Sequence, residues 1–138
     1  RAQESGDESS AIQLSDGTMI TAGSSPLLGT CASLLLNSIK HLAGIDHKVK
    51  LISQDFIEPI QKTKVDYLGG NNPRLHMDEV LVALSVLSLN DANCRRALAM
   101  LPELNGLQAH STVMLSQVDQ KILKKLGISL TCDPATKK

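Results

Sequence analysis

Apolar and polar positions alternate at the start of the chain and then change to helical spacing. Ile12-Gln13-Leu14 and Met19-Ile20-Thr21 flank Ser15-Asp16-Gly17. Asp-Gly between two extended runs signals a hairpin, because such turns need positive φ. The pattern therefore predicts a hairpin over residues 11–22. Gly23-Ser24-Ser25-Pro26 comes next. Serine followed by proline predicts a helix start: the hydroxyl caps free N–H groups, and proline at the first helical position loses no hydrogen bond. Leu27, Cys31, Leu34, Leu35, Ser38, Ile39 and Leu42 recur at helical spacing, with Gly44 as the stop.

Residues 49–52 form a short apolar run that predicts a strand. Ser53 caps a helix whose stripe is Phe56, Ile57, Ile60, the stem of Lys64, and Leu68; Pro59 within it implies a later start or a kink. Residues 69–73 are a Gly/Asn/Pro loop. Asp78 opens a very apolar segment, residues 80–89, whose length favours a buried helix, and Asp91 caps another that Pro102 ends. Residues 111–115 predict a strand. Ser116 and Asp119 have capping-box spacing, Val118, Ile122 and Leu126 share one helix face, and residues 128–132 predict a last strand. Strand, helix and strand in so few residues require a parallel pair with a crossover. The expected fold is α/β: a mostly parallel sheet with an N-terminal hairpin and helices on both faces, a three-layer sandwich.

Length and composition fit one such unit. The chain has 138 residues, 42% hydrophobic and 20% charged, which suits a globular domain. Residues 1–10 read as a polar lead-in from a preceding domain, 11–134 as the single α/β domain, and 135–138 as a polar tail. The missing initiator Met and the polar start lead us to expect a piece of a longer protein. Fourteen basic residues balance fourteen acidic ones, which argues against a nucleic-acid binder. Phe56 and Tyr67 are the only aromatics, so the core is aliphatic and stacking platforms are excluded. Cys31, Cys94 and Cys132 lack metal-ligand spacing, so no metal is expected, and reduced thiols fit a cytoplasmic location. The longest apolar stretch, residues 27–42, is interrupted by Asn37, Lys40 and His41, so no membrane span is expected.

Ligands of parallel sheets collect at the carboxyl ends of strands. Here these ends carry Gly23-Ser24-Ser25, Ser53-Gln54-Asp55, Ser116-Gln117 and Cys132-Asp133. Serine-rich helix starts suit phosphate or carboxylate, and they are also ordinary caps. The loop Arg74-Leu75-His76-Met77-Asp78-Glu79 gathers a guanidinium, an imidazole and two carboxylates. Gly23, Ser24, Ser25, Arg74, His76, Asp78 and Glu79 are therefore the candidate ligand contacts. Neither a P-loop nor a dinucleotide fingerprint is present, and no cofactor is assigned. His110-Ser111 lacks an orienting Asp, and His41 and His47 flank a helix end as favourable terminal charges.

Glu4-Ser5-Gly6-Asp7-Glu8-Ser9-Ser10-Ala11-Ile12-Gln13-Leu14, then Asp16-Gly17-Thr18, resembles the domain-of-unknown-function 1846 family, also called uncharacterised protein family 0371. The resemblance continues through Leu35-Leu36-Asn37, Lys40-His41-Leu42-Ala43-Gly44-Ile45, residues 72–80 and Lys125-Leu126-Gly127-Ile128. It implies much longer, largely bacterial proteins of uncharacterised activity, with this segment as their C-terminal part. The family's hairpin end carries Gly-Lys where this chain has Gly23-Ser24. Two functions follow as expectations. One is half of an anion or phosphate-ligand cleft completed by a missing N-terminal domain. The other is a structural or oligomerisation module in which residues 80–89 pack on another domain or a second copy. No complete catalytic constellation is visible.

Overall fold

The computed structural model describes residues 8–132. Four strands form one sheet: β1 (Ser9–Gln13), β2 (Met19–Gly23), β3 (Gln108–Ser111) and β4 (Ser129–Cys132). The order across the sheet is β2-β1-β3-β4. The hairpin forms as expected, with Ile12 opposite Ile20 and Gly17 at φ +91° in the turn. The sheet is mixed. β1 is antiparallel to both neighbours, and among the described residues only β3 and β4 run parallel. They are joined by α5 (Gln117–Lys125).

The expected mostly parallel sheet fails at two places. Residues 49–52 form no strand: Leu51 and Ile52 are buried as irregular chain. A short apolar run reads alike whether it is a strand or buried coil. The second place is the expected helix start. Ser25 Oγ accepts from the Leu27 and Leu28 N–H groups at 3.2 and 3.1 Å, closing a turn. Helix α1 (Thr30–Leu42) begins later, with Gly29 as its N-cap. A serine turn and a serine helix cap use the same bonds, so the sequence cannot separate them.

Helix α2 (Gln54–Lys62) is capped by Ser53, whose side chain accepts from the Phe56 N–H at 3.2 Å. Pro59 sits inside it without ending it, and a π-helical turn (Thr63–Tyr67) follows. Leu68 is exposed rather than part of the buried stripe. Helix α3 (Met77–Leu87) has His76 as N-cap, so Asp78 lies in its first turn instead of capping it. Asp91 caps α4 (Ala92–Leu98) as expected. β3 also starts earlier than expected, because the chain leaves the sheet after Ser111.

Ile12, Ile39, Leu75, Leu84 and Leu104 are fully buried in one aliphatic core. Burial of each stabilises the fold by roughly 1.5–3 kcal/mol before entropy is counted. Along the strands, Ser10, Ile12, Ile20, Ala22, Ala109, Ser111, Leu130 and Cys132 face this core, and α1 lies against β1 and β2. Gln13, Met19, Thr21, Gln108, His110, Ser129 and Thr131 alternate with them and are exposed. Among the described residues the helices therefore cover one face, and the expected second helical layer is absent. Val118 is exposed too, whereas Asp119 is buried, so α5 is rotated from the face its apolar residues suggest.

Candidate functional site

The Arg74 loop and the hairpin end meet. The Asn72 side chain accepts from the Arg74 N–H at 3.0 Å, turning the chain after Pro73. Arg74 Nε then donates to the Ser25 carbonyl at 2.6 Å. Beside it the Leu75 N–H donates to the Leu27 carbonyl at 3.0 Å, and the Gly29 N–H donates to the Leu75 carbonyl at 3.1 Å. The amides expected to hold an anion are engaged within the protein: Ser24 N–H donates to the Glu8 carbonyl at 3.1 Å, and Ser25 N–H to the Leu28 carbonyl at 2.9 Å. A Cβ at Gly23 would lie 3.5 Å from the Glu8 carbonyl, an ordinary contact, so no close approach there requires glycine.

His76 and Glu79 continue the junction into α3. Glu79 Oε1 accepts from the His76 N–H at 2.7 Å and from Lys64 Nζ at 2.9 Å. The His76 ring nitrogen Nδ1 lies 3.5 Å from the same oxygen. Lys64 Nζ also donates to the Arg74 carbonyl at 2.7 Å. Burial pushes the Glu79 carboxyl up, but the His76 amide and the Lys64 ammonium outweigh it and hold it below its ordinary value. Asp78 is exposed in the first turn of α3, where a carboxylate complements the helix dipole. Asp119 reaches across from α5 and accepts from the Met77 N–H at 3.0 Å. Burial raises its carboxyl above the ordinary value, and the Met77 amide offsets only part of that. The cluster is thus a clasp that ties α3 to the π-helical turn, to residues 25–29 and to α5.

The remaining candidates do not assemble. His110 Nδ1 lies 2.6 Å from Thr131 Oγ1 on the exposed sheet face, whereas Ser111 Oγ is turned inward and donates to the Val113 carbonyl at 2.8 Å. Neighbours in a strand point to opposite faces, so they cannot act as a pair. Burial pushes the Cys31 and Cys94 thiols up to about 12 and about 11, which leaves both unreactive. Asp133, the expected neighbour of Cys132, lies outside the described residues. Among the described residues no three His, Cys, Asp or Glu side chains come together as a metal ion would need. No helix among them is long and apolar enough to cross a membrane.

Ser25 also borders a polar cavity. Ser25, Ser33, Lys40, His47, Lys50 and Gln54 line a cavity of about 300 Å³, with leucine and isoleucine side chains between them.

Residues 1–138 match the family described as "Domain of unknown function DUF1846, C-terminal". The chain belongs to this family. A UPF0371 protein of Corynebacterium aurimucosum is 52% identical over 134 residues, covering 97% of this chain and 27% of the relative. The UPF0371 protein DIP2346 of Corynebacterium diphtheriae is 50% identical over 128 residues, covering 93% and 26%. The UPF0371 protein str1377 of Streptococcus thermophilus is 44% identical over 134 residues, covering 97% and 27%. The chain thus spans about a quarter of the length of these relatives.

Within this DUF1846 C-terminal domain, the sequence named Ser25 and Arg74, which do touch, and did not single out Lys40 and Lys50, which line the cavity with Ser25. The available signal was local charge: Lys40, His41, His47, Lys48 and Lys50 fall within eleven residues around the single acid Asp46.

Proposed function

We propose that this chain is the C-terminal docking unit of a larger bacterial protein, and that the preceding polypeptide supplies the third layer of the sandwich. The observation that carries this reading is the bare sheet face. A sheet with helices on one face leaves the other available to a further layer, and here Gln13, Met19, Thr21, Gln108, Ser129 and Thr131 lie open. These side chains lack carboxylates and ammonium groups, and the one ionisable group among the exposed strand residues, the His110 imidazole, lies 2.6 Å from Thr131 Oγ1. Relatives carry about three times this length elsewhere in their chains, which is ample to cover it. β1 is an interior strand, and polypeptide entering at Ser9 reaches the middle of the sheet.

The anion half-cleft at Gly23, Ser24, Ser25, Arg74, His76, Asp78 and Glu79 is supported by the Arg74–Ser25 contact. Its own amides are engaged, so its remaining donors would come from the preceding domain. A second copy as partner is favoured by one observation: Val82, Val86 and Leu89 are exposed along one side of α3 and just beyond it.

Single cysteines separate these readings. Gln13→Cys, Thr131→Cys and Val86→Cys are placed in a Cys132→Ser background, and maleimide labelling is compared between the full-length protein and the 138-residue chain. Protection of Gln13→Cys and Thr131→Cys in the full-length protein alone is expected. Equal labelling in both forms would overturn the docking reading, and protection of Val86→Cys that grows with concentration identifies a second copy on α3.

A further inference from the structure

We propose that the cavity between α1 and the start of α2 is a binding site for a phosphate group, with Lys40 and Lys50 in its lining. The inference is independent of the docking reading, since neither Lys40 nor Lys50 is among the open sheet-face residues on which that reading rests.

Lys40 is the anchor. It is 8% exposed, and its ammonium makes one hydrogen bond, to the His47 carbonyl at 2.7 Å. An ammonium has three donors, so two remain without protein partners. Among the described residues no carboxylate lies within 4.0 Å of it. Burial weakens its hold on the proton and Lys50 adds to that, while Asp46 opposes it only in part. A buried cation without a counter-ion is costly, and proteins normally pair it or leave it in water. The domain instead adds a second cation, since Lys50 lines the same cavity.

The rest of the lining fits an oxyanion. No Asp or Glu lines the cavity. The Ser33 hydroxyl makes no hydrogen bond within the described residues. The Ser25 oxygen already accepts from two amides, so its proton is left to donate outward. His47 stands at the mouth, its Nδ1 3.6 Å from Asp46 and its side chain almost fully exposed. Gln54 Nε2 donates to the Glu58 carboxylate at 2.6 Å, so Asp46 and Glu58 are acids beside the lining and not part of it. Two ammonium groups match the double charge of a phosphate monoester better than the single charge of a carboxylate. About 300 Å³ is small for a ligand site and admits a phosphate with a short attached group.

The test uses the full-length protein and calorimetric titration with inorganic phosphate, phenyl phosphate and acetate at constant ionic strength. Phosphate is expected to bind with a dissociation constant of about 1 mM or tighter. Acetate should bind at least tenfold more weakly. Lys50→Gln, an exposed position, should weaken phosphate binding about tenfold. Lys40→Met should abolish it and leave the melting temperature without phosphate unchanged or higher. No heat at about 10 mM phosphate, or equal binding by wild type and both variants, overturns the site. Acetate binding as tightly as phosphate overturns the assignment of the ligand class.

Discussion

Lys64 and Lys40 are similar side chains in opposite settings. Each is largely buried, and each ammonium donates to a backbone carbonyl at 2.7 Å. At the clasp, Lys64 also meets Glu79, and Glu79 in turn closes the first turn of α3. There the Lys64 ammonium has a carboxylate partner inside the protein. Around Lys40 the second charge is Lys50, and polar groups face a cavity. The difference separates structure from function by chemistry: an ion that the protein neutralises itself holds the fold, and an ion it leaves uncompensated awaits something else.

Core truncation in the helix that carries Lys40 and in the helix whose first turn meets Lys64 gives the largest expected effect and tests whether both seats are equally firm. Leu84 in α3 and Ile39 in α1 are both fully buried. Replacing either by Ala should cost about 2–5 kcal/mol in urea denaturation. A loss well below that at one position would mean that its lysine sits on a loose scaffold, and the comparison would fail.

Removing the counter-ion should separate the two regions. Glu79→Ala leaves the His76 N–H without an acceptor and Lys64 without its counter-ion, with only the Arg74 carbonyl still accepting from it, and should cost about 1–3 kcal/mol. Chemical denaturation at neutral pH measures it, and a neutral result would show that the pair does not close the clasp.

The pH dependence sharpens the same point, because the clasp's two carboxylates have opposite signs. Glu79 is held below its ordinary 4.5, so its contribution is present above that value and is lost as pH falls through the folded-state value. Asp119 is raised above its ordinary 3.8 by burial. Its contribution is therefore present at acid pH and is lost as pH rises through the folded-state value. Glu79→Gln should flatten the acid loss of stability, and Asp119→Asn should deepen it, in melting curves between pH 3 and 7. Movement of both variants in one direction would contradict these assignments.

The smallest effect belongs to Lys40. Lys40→Met removes an uncompensated buried charge and should change stability by about 0–1 kcal/mol, in the stabilising direction. A clear loss would place Lys40 with Lys64 as a structural ion.

Local chemistry was legible in the sequence, and long-range pairing was not. The Asp16-Gly17 hairpin, the caps Ser53, Asp91 and Ser116, and the Gly44 stop all follow from bonds between near neighbours. Strand direction depends on which strands pair, and residues 49–52 carry no mark that keeps them out of the sheet. Val118 and Asp119 exchanged their expected roles because the Met77 amide that draws Asp119 inward lies 42 residues away. Of the candidate site, the residue types were legible, and the loop and the hairpin end do meet at Arg74 and Ser25. That their donors would satisfy one another, and that Lys40 would be buried without an acid, depends on three-dimensional neighbours alone.

The position of β1 has a kinetic consequence. Among the described strands of this domain it is made first, yet it lies inside the sheet, and its second partner is β3, nearly a hundred residues later. The Ser9 amide reaches the Thr112 hydroxyl across 103 residues of sequence. During synthesis the β1–β2 hairpin can form early from local contacts, but it keeps one unpaired edge until Gln108–Ser111 has emerged. Closing so long a loop slows folding, and an open strand edge is where nascent chains join each other. Co-translational folding of this domain therefore proceeds late, with the hairpin as the part that most needs protection while it waits.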